Sequence, residues 1–423
     1  MSTRRIVFVC RSATGEALRS ATAIKRLDNV TLFGICESAD AGNVFAEMVR
    51  ISDVHDPQQL IDAAKEFGSL SRIVTAQETL LLPVAEVNET LGLDAMSPEV
   101  VARTLDKSKL KSTLRQAGIT TPRDKIVNTP EDARRFVEEV GFPIVLKPLK
   151  GSGALTTFRI TNEEQLMGIL RLVNPPVIAE TYVHGQELCF DTVTIANEPQ
   201  CYSICCYYPT IIEALEDPTK QWRCVMPRAL TSYKLFIQLG LAAVQAMQVG
   251  NAFTHMEGFI NSSGPAGFID ATLRPAGARI GPMFGFAHEV DPYHLWARVA
   301  VDDTFDGPLE RMFAVGTIFL RGQGSGSVET INGIEQIQHE LNDVIVESRW
   351  PRIGGPKSAT YTGDGFITVR HPEISVVQNA LDFIDQTVRI SYSSSQPSES
   401  FWSDRLLNFR ELNKPAWDFE VVK

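Results

Sequence analysis

The stretch Thr254–Gly281, THMEGFINSSGPAGFIDATLRPAGARIG, places two acidic residues within otherwise apolar runs. Glu257 and Asp270 stand on what read as two adjacent strands, joined by the turn-rich segment 261–265. A carboxylate in an apolar strand is costly unless it is paired or coordinates a metal. A hairpin-like connection would bring the two acids face to face, and this arrangement predicts a site for a hard cation such as Mg²⁺.

Two cations, Arg274 and Arg279, follow the second strand among glycines. Carboxylates that hold a metal beside arginines that reach for phosphate form a layout for phosphoryl transfer. We expect Arg279 to bind a substrate carboxylate, with a structural salt bridge as an equal alternative. Taken alone, the stretch fits a solvated hairpin with ordinary surface charges equally well.

Composition limits the classes of function. The chain has 423 residues, enough for about two to four domains. Its net charge of −11 disfavours nonspecific binding to nucleic acid or to an anionic membrane. No apolar run approaches the ~18 residues of a membrane span, and the short run after Arg4 and Arg5 does not make a signal peptide. The seven cysteines lack zinc-site spacing, so we expect reduced thiols and a cytoplasmic protein.

The N-terminal residues predict an open α/β sheet. Apolar runs at 4–10, 30–36 and 71–75 alternate with helical patterns at 15–27 and 56–67. Such alternation is typical of parallel strands with crossover helices. The loop after the first run lacks a full GxGxxG, so we interpret this domain as a scaffold or a contributor to a substrate site.

A second unit begins at Asp106-Lys107, with helices predicted at 107–117 and 131–140. A strand then ends in Lys147, and the loop Gly151-Ser152-Gly153-Ala154 leads to a further strand at 156–160. A P-loop is excluded because neither a helix nor Gly-Lys-Ser/Thr follows. A hairpin with a glycine tip can instead fold over phosphates, with its N–H groups as an anion nest. A surface lysine is the alternative for Lys147.

Two carboxylates then flank a linker between strands. The run from Val177 ends in Glu180, and Glu187 opens the next strand. Backbone groups at Thr181 and Val183 would read the edge of a purine, and an acid would accept from ribose hydroxyls. Residues 196–230 look like an aromatic substrate loop rather than core, and a helix is predicted at 232–248.

Beyond residue 300 the pattern predicts strands at 313–320 and 365–369 and helices at 334–341 and 371–390. The glycine-rich segment 322–327 is interpreted as a turn between strands. We expect the polar tail from Ser393 onward to be mobile.

Five blocks in order resemble the ATP-grasp superfamily, and within it carboxylate–amine ligases such as the L-amino acid ligases and their peptide-antibiotic relatives. The blocks are Asp106-Lys107, Lys147-Pro148 with 151–154, Glu180–Val183 with Gly185 and Glu187, His255-Met256-Glu257, and Asp270-Ala271-Thr272 with Arg274. The resemblance implies an α/β protein, α+β overall, with the ATP-grasp fold, an N-terminal open parallel α/β domain and a C-terminal α+β extension. The implied units are an N-terminal domain (1–104), a small lobe with the glycine hairpin (105–178), a large lobe with the metal and substrate site (179–300), and the C-terminal part of that lobe with a small subdomain and the tail (301–423).

The resemblance also implies roles for single residues. Lys107 and Lys147 would contact the phosphates of ATP, and the loop 151–154 would close over them. Glu180 would accept from the adenine amino group and Glu187 from ribose hydroxyls. Glu257 and Asp270 would hold one or two Mg²⁺ ions, with Mn²⁺ as an acceptable substitute.

On the substrate side, Arg274 would neutralise an acyl-phosphate and the oxyanion that follows it. His255 shares the face of Glu257 on a strand and would line the substrate pocket, with a core histidine as an equal alternative. The family pattern Glu-x-Asn is replaced by Asp270-x-Thr272. This change leaves the second metal open, with Thr272 as a weaker candidate ligand.

The predicted activity is ATP-dependent ligation of a carboxylate to an amine through an acyl-phosphate, with release of ADP and phosphate. The expected substrates are amino acids, the expected product is a dipeptide or small amide, and a homodimer is expected only from the family. Two alternatives stay open: a nucleotide-binding regulatory or structural protein on this scaffold, and a ligase with a non-amine acceptor.

Overall fold

The computed structural model describes residues 3–38, 43–151, 154, 156–173, 175–217 and 219–394. Across these ranges the strands form a parallel sheet, a small antiparallel sheet, a large antiparallel sheet and a two-stranded ribbon. None of the helices in this part of the chain combines the length and the apolar character that a membrane crossing requires.

The N-terminal domain has the predicted open parallel sheet. Its strands lie in the order β3-β2-β1-β4 and all run parallel. The elements are β1 Arg4–Cys10, α1 Gly15–Lys25, β2 Val30–Cys36, β3 Met48–Arg50, α2 Pro57–Glu66, β4 Arg72–Val74, a 3₁₀ turn Glu78–Leu80, α3 Leu81–Thr90 and α4 Pro98–Leu105. The sequence did not predict β3, α3 or α4. Alternate residues of β1 enter two different cores, Phe8 with α1 and Val7 with α2 and α3. Burial on both faces explains the continuous apolar run of this strand.

The small lobe carries the predicted glycine hairpin. Its sheet has the order β5-β8-β6-β7, and β6 pairs antiparallel with β7. The elements are α5 Lys107–Gln116, β5 Asp124–Val127, α6 Pro130–Val140, β6 Ile144–Pro148, β7 Phe158–Ile160, α7 Glu163–Leu170 and β8 Val177–Thr181. The predicted lobe boundary at 178/179 falls inside β8. Ser152 and Gly153, at the hairpin tip, lie outside the described residues.

The large lobe is built on a sheet for which eight strands are described, in the order β13-β12-β9-β10-β11-β14-β17-β16. The strands of this lobe and its ribbon are β9 Gln186–Ile195, β10 Glu198–Tyr208, β11 Trp222–Met226, β12 Ala252–Asn261, β13 Gly264–Thr272, β14 Ala314–Leu320, β15 Ser325–Asn332, β16 Ile345–Arg349, β17 Gly365–His371 and β18 Arg389–Ser394. The helices are α8 Ile211–Glu216, α9 Lys234–Met247, α10 Ile280–His288, α11 Pro292–Ala297, α12 Ile334–Glu340 and α13 Ile374–Thr387, with a 3₁₀ turn Thr231–Tyr233 and a π-helical turn Arg298–Asp302.

The prediction of a loop over residues 196–230 was wrong. This segment supplies β10, α8 and β11, and β10 and β11 are interior strands of the large sheet. The side chains of Tyr207 and Trp222 are fully buried against each other, with ring centroids 5.2 Å apart. The aromatic residues that suggested a substrate loop are therefore core residues.

The chain beyond residue 300 returns to the centre of the same sheet. Strand β14 lies between β11 and β17, so the large sheet joins residues on both sides of the predicted boundary at 300/301. The predicted turn at 322–327 is shorter than expected, because β15 begins at Ser325. Ser393 and Ser394 do not open a mobile tail, because both belong to β18. Residues 395–423 lie outside the described part.

Candidate active site

The hairpin β12–β13 places the two predicted metal ligands opposite each other. Glu257 and Asp270 are direct cross-strand partners, and so are His255 and Thr272. Residues two apart on a strand share a face. This geometry confirms the predicted pairing of the two acids, and both line two adjoining cavities.

The first cavity, of about 810 Å³, lies between the small lobe and the large sheet. It brings together most of the residues predicted for nucleotide binding: Lys107, Lys147, Gly151, Ala154, Glu180, Thr181, Val183 and Glu187. Ile211 and Ile212 of α8 form an apolar part of its wall, as do Phe259 and Ile269. A cavity with apolar walls and a few convergent polar groups is typical of a binding site for a small molecule.

Lys107 connects the small lobe to the metal-ligand hairpin. Its Nζ donates to the carbonyl oxygen of Gly151 at 2.9 Å and lies 3.0 Å from Asp270 Oδ2. Burial alone would lower the pKa of Lys107, but the charges of Asp270 and Glu78 outweigh burial and raise it. The same ammonium group, with that of Lys147, holds the pKa of Asp270 below its usual value against the effect of burial. Both groups of the ion pair are therefore charged.

Glu180 is buried between two lysines. Its carboxylate lies 2.5 Å from Lys111 Nζ and 3.0 Å from Lys147 Nζ, and the residue is only 2% exposed. Both ammonium groups also donate to the carbonyl oxygen of Ile269, at 3.1 and 3.3 Å. Burial would raise the pKa of Glu180, but the two lysines lower it. The carboxylate is thus engaged within the protein, and its predicted contact with adenine stays a prediction.

Lys111 was missed by the sequence analysis. It lies one helical turn after Lys107 on α5 and is fully buried. Burial lowers its pKa to about 8 although Glu180 opposes this. Residues four apart share a helix face. Lys111 could therefore have been identified from the sequence, as the residue four positions after the predicted Lys107.

Glu187 is a buried acid at the other end of the linker. One carboxylate oxygen accepts a hydrogen bond from the Ile211 backbone N–H at 2.6 Å. Burial, reinforced by the charge of Glu257, raises the pKa of Glu187 to about 8. Gly185, between β8 and β9, has a positive φ of 151°, and a Cβ there would stand 2.4 Å from the carbonyl oxygen of Ile260. The linker can therefore pass over β12 only with glycine at this position.

The second cavity, of about 760 Å³, shares Ile211, Glu257, Asp270 and Tyr361 with the first and extends to Arg274. Arg274 Nη2 lies 2.8 Å from Glu78 Oε2, and Nη1 donates to the carbonyl oxygen of Pro275 at 2.8 Å. Glu78 belongs to the N-terminal domain, and Tyr361 precedes β17. Neither was predicted, because both are distant in sequence from the hairpin.

His255 and Thr272 also line the second cavity. His255 Nδ1 forms a hydrogen bond with Asp191 Oδ1, with the two atoms 2.7 Å apart. The other ring nitrogen, Nε2, lies 3.5 Å from Glu257 Oε1. Burial would lower the pKa of His255, but Asp191 outweighs burial and raises it well above its usual value. The Thr272 hydroxyl is buried and has no hydrogen-bond partner among the described residues.

Arg279 does not line either of these two cavities. Its guanidinium forms an ion pair with Glu347, lies 3.6 Å from Glu16, and stacks over Phe366 at 4.6 Å from the ring centroid. The structure thus supports the alternative of a structural salt bridge for Arg279 and does not place it at the substrate cavity.

Comparison with known proteins agrees with this architecture. Residues 104–195 match the model of the RimK-like ATP-grasp domain. The match covers this segment only. The fold over most of the chain is similar to that of an L-amino acid ligase from Bacillus licheniformis, with a TM-score of 0.75 and 18% identity over 93% of this chain and 100% of that chain. It is also similar to an N5-carboxyaminoimidazole ribonucleotide synthetase from Thermotoga maritima, with a TM-score of 0.69 and 18% identity over 92% of this chain and 100% of that chain.

Curated relatives are ligases. The chain is 23% identical over 260 residues to an alanine–anticapsin ligase of Bacillus subtilis, which covers 55% of this chain and 54% of that protein. It is 24% identical over 242 residues to an L-arginine-specific L-amino acid ligase of Bacillus subtilis, which covers 55% of this chain and 58% of that protein. The alignments therefore span little more than half of the length of these relatives.

Proposed function

We propose that this ATP-grasp protein is an ATP-dependent carboxylate–amine ligase that works through an acyl-phosphate and releases ADP and phosphate. The observation that carries the proposal is that two cavities meet at Glu257 and Asp270. One has the lysines and linker suited to a nucleotide, and the other has an arginine suited to a carboxylate. A γ-phosphoryl group at the junction would lie between ATP and an acid.

On the nucleotide side, each polar group has a role that its surroundings support. Lys107 and Lys147 would neutralise phosphate oxygens, since both ammonium groups line the first cavity. Backbone groups at Thr181 and Val183 would read the adenine edge, and Glu187 would accept from ribose hydroxyls. In place of the adenine contact first expected for its side chain, we assign Glu180 the role of positioning Lys147 from the opposite side.

Glu257 and Asp270 fit Mg²⁺, because they supply carboxylate oxygens from two facing strands at the junction of the cavities. When bound, Mg²⁺ would neutralise the charge that develops on the transferred phosphoryl group. The buried, unpaired hydroxyl of Thr272 fits a further ligand. We extend the proposal to Mn²⁺ as a substitute, since it accepts the same oxygen ligands.

On the substrate side, Arg274 is held by Glu78 and the carbonyl of Pro275, so that its guanidinium is oriented before a substrate arrives. A carboxylate oxygen of the acid attacks the γ-phosphorus of ATP and ADP leaves. The nitrogen of a neutral amine then bonds to the acyl carbon, the carbon–oxygen bond to phosphate breaks, and the nitrogen loses a proton. Arg274 would stabilise the oxyanion between these last steps.

We propose amino acids for both the acid and the amine. The support comes from the relatives, whose names specify alanine with anticapsin in one case and L-arginine in the other. A homodimer remains a proposal from family resemblance alone, to be checked by light scattering.

The test is a screen of amino-acid pairs with Mg·ATP, in which phosphate release is measured and the nucleotide product is identified. We expect ADP and phosphate in amounts that depend on the second amino acid, with a dipeptide detected by mass spectrometry. AMP with pyrophosphate would contradict the acyl-phosphate route. Consumption of ATP with a thiol or bicarbonate, and without amines, would support the alternative acceptor.

One observation favours a second candidate, a nucleotide-binding protein without turnover. Asp270, a predicted metal ligand, is engaged in an ion pair with the buried Lys107. If ATP raises the melting temperature while none of the acid–amine pairs consumes ATP, this candidate replaces the ligase.

A further inference from the structure

A cluster of a thiol, a carboxylate and an imidazole lies beside the proposed Mg²⁺ site. Cys189 and Asp191 are two apart on β9 and share a face, and His255 on β12 is the cross-strand partner of Asp191. The Cys189 thiol donates to Asp191 Oδ2 at 3.0 Å, and His255 Nδ1 lies 2.7 Å from Asp191 Oδ1. One ligand atom from each residue lies within 4.8 Å of the other two. Three chemically different ligand atoms therefore lie close enough together to share one cation.

We propose that Cys189, Asp191 and His255 form a second divalent-cation site, selective for Zn²⁺ rather than Mg²⁺. Sulfur and imidazole nitrogen are ligands of Zn²⁺ and related transition metals, whereas Mg²⁺ prefers oxygen ligands. Three protein ligands leave a fourth tetrahedral position for water. The two sites thus share strand β12 but differ in the class of metal they accept.

The surroundings of His255 suit a metal ligand. If Nδ1 binds the cation, Nε2 carries the remaining proton and faces Glu257 at 3.5 Å. Metal-bound histidines usually donate their second N–H to a carboxylate or carbonyl, which fixes the orientation of the ring. Glu257 provides this acceptor, so it would support the second site while it holds the metal of the first.

Two of the three ligand residues face cavities, whereas Cys189 is fully buried behind them. His255 lines the second cavity described above, and Asp191 lines a further cavity of about 410 Å³ that also contacts Arg274. Binding displaces two protons, that of the Cys189 thiol and that on Nδ1 of His255, both of which pass to solvent, and it breaks the hydrogen bonds within the cluster. The buried thiol is thereby converted into a ligand without any change of oxidation state.

The described residues include one other group with potential metal ligands, which serves as an internal comparison. Glu37, Asp53 and His55 also come within reach of one another, but they are more exposed and include no sulfur. A cation bound there would have oxygen and nitrogen ligands only. The presence of a metal–sulfur bond therefore distinguishes the two groups.

The experiment uses Co²⁺ as a spectroscopic substitute for Zn²⁺, added to the full chain after removal of metals by a chelator. We expect a near-ultraviolet thiolate-to-Co²⁺ charge-transfer band that saturates at one equivalent and disappears when Zn²⁺ is added. A large excess of Mg²⁺ should leave the band in place. None of these readouts needs ATP or turnover, so failure of this proposal is distinct from failure of the ligase proposal.

The variants Cys189→Ser and Asp191→Asn test the ligands. Cys189→Ser should abolish the band, and Asp191→Asn should weaken Co²⁺ binding by at least about tenfold, as loss of a partner at a metal site usually does. Cys201→Ser is the matched control, since this thiol lies on neighbouring β10 and is not part of the cluster. Circular dichroism and thermal melting establish that each variant is folded.

Three results would overturn the proposal. They are a wild-type protein that binds Co²⁺ without a thiolate band, a band that persists in folded Cys189→Ser, and a band that is lost in Cys201→Ser. If Cys189→Ser does not fold, Asp191→Asn with the unchanged Cys189 decides, because unaltered Co²⁺ affinity in that variant contradicts the site.

Discussion

The two cavities that meet at Glu257 and Asp270 are built in different ways. The first cavity, the proposed nucleotide side, draws its charged groups from α5, β6, β8 and β13, and these groups pair with one another: Lys107 with Asp270, and Lys111 and Lys147 with Glu180. The second cavity, the proposed substrate side, depends on Arg274, which is held by Glu78 of the N-terminal domain. Removal of one partner from the buried ion pairs of the first cavity would destabilise the fold. The second cavity depends instead on a contact between two domains.

The largest effect is expected on the nucleotide side, from Glu180→Gln. The substitution leaves Lys111 and Lys147 buried without their carboxylate, and loss of one partner of a buried ion pair costs about 3–5 kcal/mol of unfolding free energy. Urea denaturation monitored by circular dichroism measures this change. Glu163→Gln, which removes an exposed acid that pairs with Arg134, should cost less than about 1 kcal/mol. Equal effects of both variants would refute a structural role for the buried charges.

At the junction, Glu257→Gln should lower turnover by at least about 100-fold, because the developing phosphoryl charge loses its stabilisation. The fold and the rise in melting temperature on addition of ATP should persist. Phosphate release and thermal melting are measured together, with Glu198→Gln on the exposed start of β10 as the control. Unchanged turnover in Glu257→Gln would remove the acid from the mechanism.

Glu187→Gln should change the way in which the free energy of unfolding depends on pH. The pKa of Glu187 rises from 4.5 to about 8 on folding, so the native state binds more protons between these values. The stabilising contribution of the protonated acid is full below about pH 4.5 and is lost as the pH rises through about 8. Glutamine cannot ionise, so the free energy of unfolding of the variant, relative to that of the wild type, should rise as the pH increases from 5 to 8.5.

The measurement is unfolding free energy at several pH values, with the difference between variant and wild type taken at each pH. Taking the difference cancels the titration of His255 and Lys111, which are common to both proteins. A constant difference from pH 5 to 8.5 would show that Glu187 is ionised throughout. Glu198→Gln should give such a constant difference.

The smallest effect is expected on the substrate side, from Glu78→Gln. Arg274 would keep its bond to Pro275 but lose a charge-assisted partner, so the KM for the acid substrate should rise by about tenfold. The affinity for ATP should change less than the KM for the acid, since Glu78 does not line the first cavity and acts on Lys107 only through its charge. Glu16→Gln, which alters a partner of Arg279, is the control. Parallel losses of ATP and acid binding would contradict the separation of the two sides.

The same contrast explains which parts of the site the sequence could predict. Lys107, Lys147, Glu187, Glu257 and Asp270 all line the first cavity. Each could be selected from the sequence because it belongs to a short local pattern: a charged residue at the start of a helix, near the end of a strand or within an apolar strand. Their roles remain predictions. Glu78, Asp191 and Tyr361 were missed because their positions depend on how separate elements pack together, and no local pattern records this.

The fold shows a similar division. Strands with continuous apolar runs, such as β1 and β6, and helices with clear start signals were predicted within a few residues. Strands β10 and β11 were not, because polar residues interrupt them and Tyr207 and Trp222 fit a binding loop as well as a core. Their burial depends on β14, which arrives from beyond residue 300.

That late arrival has a consequence for synthesis of the chain. In the finished sheet, Trp222 of β11 pairs with Phe319 of β14. Until residues 314–320 leave the ribosome, β11 has one edge with unpaired backbone groups and apolar side chains, which is the kind of edge that joins other chains. The parallel sheet and the small lobe use only strands that precede residue 182 and have no such delay. During synthesis, the large lobe therefore exposes an unpaired strand edge for longer than the parallel sheet or the small lobe does.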